Sequence, residues 1–102
     1  MGIHPAAVEE KYQRLGFAIT PLGMELKIGR VKISAAEHPW KGVVLIFTCF
    51  EPRRRVQFDV GIPTVCSVEQ IAAMIYANFL ITFRDQAACR AYFESLEIHA
   101  FQ

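Results

Sequence analysis

Three features of this sequence predict an α+β fold: an amphipathic helix pattern near its start, short strand-like segments through its middle, and a long helix pattern followed by a shorter one. The strand-like segments are separated by turn-length spacings. That predicts an antiparallel sheet of three to five strands with an N-terminal helix and one long plus one shorter C-terminal helix packed on it. The 102 residues suit a single domain, 1–102, and an apolar share of 53 % is ample for its core.

The first helix has both ends marked. Pro5 suits a first helical turn, and Val8, Tyr12 and Leu15 form one apolar stripe. Gly16 stands where a left-handed cap belongs, and Phe17 is placed to fold back onto Tyr12 in a Schellman ending. A short strand over 17–20 runs into the turn Pro21-Leu22-Gly23. Met24, Leu26 and Ile28 then alternate with Glu25 and Lys27, and beyond Gly29 the apolar parity shifts to Val31 and Ile33. A bulge at Gly29-Arg30 and a two-residue hairpin both explain the shift. The bulge is preferred, because the hairpin sets Lys27 opposite Lys32.

A loop over 35–41 carries His38, Trp40 and Lys41. The segment from Gly42 to Phe50 reads GVVLIFTCF and is apolar in both parities, with Thr48 the only mild exception. A strand of that kind wants cover on both faces, from helices of its own chain or from a partner. The main helix is expected over one face, with the opposite parity covered too. A hairpin connection over 51–54 leads to a clean alternation over 55–62.

Ser67 with Gln70 makes a capping box for the main helix, whose ridge of Ala73, Ala77 and Ile81 would admit a second helix. Asp85 is placed to cap a last helix over 86–96, and 97–101 is expected to add a short final strand.

Eleven basic and ten acidic residues leave a net charge of +1, so attraction to nucleic acid or an anionic membrane must come from a local patch. No apolar run reaches the roughly 18 residues of a membrane span, and the start lacks a signal-peptide pattern. Cys49, Cys66 and Cys89 show no metal or redox spacing, so a reducing cytoplasm is expected, with no metal and no cofactor.

The sharpest polar feature is Arg53-Arg54-Arg55 at a hairpin tip. Guanidinium groups donate paired hydrogen bonds to carboxylates and phosphates, although a charged tip also serves solubility alone. Trp40, the only tryptophan, sits beside Lys41 and either anchors an interface or folds over the sheet edge into the core. Cys66 precedes a helix N-terminus, which activates thiols, but it also suits a hydrophobic staple, and His4, His38 and His99 show no spacing that selects a base.

The expectation is therefore a non-enzymatic protein-binding module, of the inhibitor or phage and mobile-element accessory type. Its contacts are Arg53, Arg54, Arg55, Trp40 and Lys41, and a homodimer is expected. Two alternatives remain: a nucleic-acid binder using Arg53–Arg55 with Lys27, Arg30 and Lys32, and a small ligand-binding protein or enzyme using Cys66 or His38.

Overall fold

The computed structural model describes residues 5–51, 54–82 and 86–96. Its elements are α1 (Pro5–Arg14), β1 (Ala18–Thr20), β2 (Gly23–Ile28), β3 (Val31–His38), β4 (Gly42–Glu51), β5 (Arg54–Ile62), α2 (Val68–Thr82) and α3 (Gln86–Ser95). The five strands make one antiparallel meander in chain order. This is the expected α+β architecture.

Local chemistry sets the helix ends. At the close of α1, Phe17 N–H donates to the Tyr12 carbonyl at 3.0 Å and Gly16 N–H to that of Gln13 at 2.9 Å. These are the paired bonds of a Schellman motif, and Phe17 meets the Tyr12 ring edge-on with centroids 5.3 Å apart. Tyr92 of α3 donates its phenol proton to the Leu15 carbonyl at 2.8 Å, tying the two helices together. At the start of α2 the capping box is complete: Gln70 N–H donates to Ser67 Oγ at 3.1 Å, and Ser67 N–H to Gln70 Oε1 at 2.8 Å. The Asp85 cap and the final strand expected over 97–101 lie outside the described residues.

Two expectations about the strands are corrected. Gly29-Arg30 is a hairpin turn, not a bulge: Ile28 faces Val31, and Gly29 takes φ 59°, which glycine adopts freely. Lys27 does face Lys32, but Lys32 Nζ lies 3.7 Å from Glu25 Oε2, so a diagonal ion pair offsets the like-charge contact. The segment expected to loop from residue 35 instead continues β3 to His38, leaving only residues 39–41 as the turn. Its pairing with β4, from Val31↔Cys49 to His38↔Gly42, holds those extra residues in the sheet.

One parity of the sheet carries the core. Leu26 of β2, Ile33 of β3, Leu45 and Phe47 of β4 and Ile62 of β5 join Tyr12, Ile75, Phe79 and Phe93 from the three helices in a single buried cluster. The main helix thus covers one sheet face, as expected. Of the two expected kinds of cover for the other face, helices of the chain itself do not supply it. Among the described residues no helix lies over it: Ala36 is exposed, Val44 half-buried, and Ile46 37 % exposed. The physical reason is supply, since the apolar residues of all three helices are spent on the first face. The smallest dimension of 21 Å matches two layers. The small-residue ridge of α2 is also open at Ala77, which is exposed.

Candidate functional site

The β3–β4 turn presents the most exposed aromatic side chain among the described residues. Trp40 is 89 % exposed, so it anchors no core edge. Its backbone is nevertheless pinned. His38, the last residue of β3, accepts at Nδ1 from the N–H groups of Trp40 (3.2 Å) and Lys41 (3.3 Å). The His38 and Trp40 rings lie 5.8 Å apart and tilted by 59°. The sequence reads Asx-like turn chemistry here with histidine as the acceptor, so the tryptophan is held outward from a fixed base. Lys41 is exposed beside it.

The backbone of Arg54 and Arg55, two of the other predicted contacts, lies at the start of β5, beside the far end of β4. Glu51, at the end of β4, pairs with Arg54, at the start of β5, whereas Gly42 opens β4 next to the Trp40 turn. Nine residue steps at about 3.3 Å separate the two ends by roughly 30 Å. The structure therefore splits the sequence-predicted site in two. Arg53, and the side chains of Arg54 and Arg55, lie outside the described residues.

Cys66 is half-buried and belongs to a connection tied down from α1. Lys11 Nζ donates to the carbonyls of Thr64 (3.1 Å) and Cys66 (3.0 Å), and Cys66 N–H donates to Pro63 at 3.2 Å. Thr64 and His38 line one shallow depression of about 300 Å³ with Glu37, Pro39 and Gly42. The His38 nitrogen facing the turn is already engaged by two backbone donors. Among the described residues no group of three metal-binding side chains comes together.

The remaining ionisable groups in the core act on stability. Burial pushes the Cys89 thiol up from 9.0 to about 12. Tyr12 is raised above its ordinary 10.0 by burial and, secondarily, by the charge of Cys66, and its hydroxyl has no partner among the described residues. Tyr92 is raised by burial as well. Each of these groups stays protonated in the folded chain at pH values where the unfolded chain ionises. Their contribution is fully present below about pH 9 and is lost progressively as pH rises toward 12. Melting temperature is therefore expected to fall across that window. Tyr12→Phe should reduce the fall and leave neutral-pH stability unchanged or higher, because it removes an unpaired buried hydroxyl. A steeper alkaline loss in the variant would contradict this assignment.

Sequence reasoning missed the groove on the uncovered sheet face. It has a volume of about 270 Å³ and runs between Leu22, which is 94 % exposed, and Val44 and Ile46 of β4, with Ala36, Ser34, Lys32 and Glu25 along it. The double apolar parity of β4 was its signal; what the signal lacked was the number of layers. No family model matches this chain, and neither does any curated protein or any solved structure. No helix among the described residues is long and apolar enough to cross a membrane.

Proposed function

We propose that this chain is a non-enzymatic protein-binding module that acts by occupying a surface of a partner protein, in the manner of a small inhibitor or accessory protein. The observation that carries this reading is Trp40: a large ring left 89 % exposed on a turn that His38 pins. Tryptophan brings about 150–250 Å² of contact area with little side-chain entropy to lose, and such residues dominate interface energetics. Lys41 adds a charge at the rim of that contact. Arg53, Arg54 and Arg55 form a second contact for acidic groups, served by guanidinium forks. A reducing compartment such as the cytoplasm suits the three free cysteines.

The test is capture of the partner from the native host, followed by affinity measurements on purified components. Trp40→Ala is expected to keep the circular dichroism spectrum and to weaken binding at least tenfold, about 1.4 kcal/mol or more. Replacing Arg53, Arg54 and Arg55 by alanine should likewise leave the fold intact and lower affinity at least tenfold. Unchanged affinity in the folded Trp40 variant would overturn the assignment of the anchor. A captured nucleic acid, with affinity falling steeply with salt, would replace the protein-binding reading.

A further inference from the structure

We infer that the uncovered sheet face is closed in solution by the same face of a second copy of this chain. This goes beyond the Trp40 reading and stands on different residues.

The first argument is area. Five strands about 4.8 Å apart and up to ten residues long at about 3.3 Å each present a face of roughly 600 Å² before side-chain relief. Stable interfaces bury about 800 Å² per partner, so the whole face is of the size a dimer uses. Its middle is apolar, with Ala36, Val44 and Ile46 beside the groove. A wet patch of this kind along a central strand is what sheet-on-sheet packing removes.

The second argument is charge, and it selects the occupant. On this face Glu25, Ser34, Ile46 and Asp59 are successive partners across β2 to β5. The next row on the same face is Lys27, Lys32, Thr48 and Gln57. One row carries two acids and the neighbouring row two bases, so these two rows together sum to zero and their signs are segregated. A nucleic acid or an anionic membrane would meet Glu25 and Asp59 as repulsion. A second copy meets complement. A two-fold axis between the rows, crossing the strands, lays the acidic row of each copy on the basic row of the other, with Glu25 opposite Lys27. Strand β4 then runs antiparallel over β4 of the other copy.

Sedimentation and light scattering of the full chain test this. Wild type is expected at twice 11.6 kDa at micromolar to millimolar concentration, and Ile46→Glu is expected to be a folded monomer. Glu25→Lys and Lys27→Glu should each weaken self-association at least tenfold, since each makes its rows repel. Mixing the two variants should restore a heterodimer, because one face is then basic and the other acidic. Circular dichroism of each variant separates loss of pairing from loss of fold. A monomeric wild type at millimolar concentration would overturn the inference. So would a dimer unaffected by Ile46→Glu, or charge variants that fail to recover on mixing. Partner affinity that still depends on Trp40 in such a monomer would leave the protein-binding reading in place. A dimer that rescues on mixing while Trp40→Ala binds unchanged would do the reverse.

Discussion

Phe47→Ala is expected to remove about 3–5 kcal/mol of stability, a large part of the roughly 5–15 kcal/mol that holds a domain together. Phe47 is fully buried at the centre of β4. Its ring stacks on Phe58 with centroids 4.8 Å apart and an interplanar angle of 6°, and it meets Phe79 of α2 edge-on at 6.3 Å. One side chain therefore joins the two central-to-edge strands and the main helix. Truncation forfeits the transfer energy of the ring and leaves a cavity that a strand held by neighbours on both sides cannot collapse. Urea unfolding followed by circular dichroism should show the midpoint displaced far downward. Phe47→Leu fills most of the space and should cost under about 1.5–2 kcal/mol. Equal losses from the two variants would show that this ring contact is not what holds the layers together.

Gly42→Ala is expected to cost about 2–4 kcal/mol through a different mechanism. Gly42 has φ 79°, where a side chain is strained. A Cβ there would lie 2.5 Å from the Ile62 carbonyl oxygen, 3.1 Å from Pro63 Cα and 3.2 Å from Thr64 N. All three are backbone atoms, so no side chain can swing aside, and the ends of β4 and β5 must part. Gly61→Ala in β5 is the control. Its Cβ would meet only Lys41 at 3.6 Å or more, so the variant should be neutral or gain up to about 1 kcal/mol from a less flexible unfolded chain. Thermal melts of the pair check this, and similar melting temperatures would contradict it. Gly42→Ala should also weaken partner binding, because the displaced strand end carries the Trp40 turn.

The features read correctly from the sequence are those whose chemistry lies within a few residues. Gly16 and Phe17 against Tyr12, and Ser67 against Gln70, each close inside one helical turn, and the structure forms both motifs. The Gly29-Arg30 turn failed for the opposite reason. Repulsion between Lys27 and Lys32 was visible as a local pair, but the Glu25 carboxylate that answers it arrives across the hairpin on the diagonal. The apolar run of β4 announced that both faces want cover, and a pattern along one strand does not say how many layers the rest of the chain supplies. The exposure of Trp40 depends on where the strands stop, so an anchor and a core edge read alike. The separation of Trp40 from the arginine tip was legible in principle, because a ten-residue strand lies between them and a strand is long.

Trp40 also determines how this protein is observed in solution. As the only tryptophan, it is the sole indole chromophore, and it stands 89 % in solvent while the core unfolds or refolds behind it. Its emission therefore starts close to that of the denatured chain, and a fluorescence-monitored melt of the intact fold records little. Core changes must be followed by circular dichroism, or by the absorbance of Tyr12, which the same transition carries from a dry site into water. The insensitivity to unfolding makes the indole selective: a blue shift reports that something has covered the β3–β4 turn.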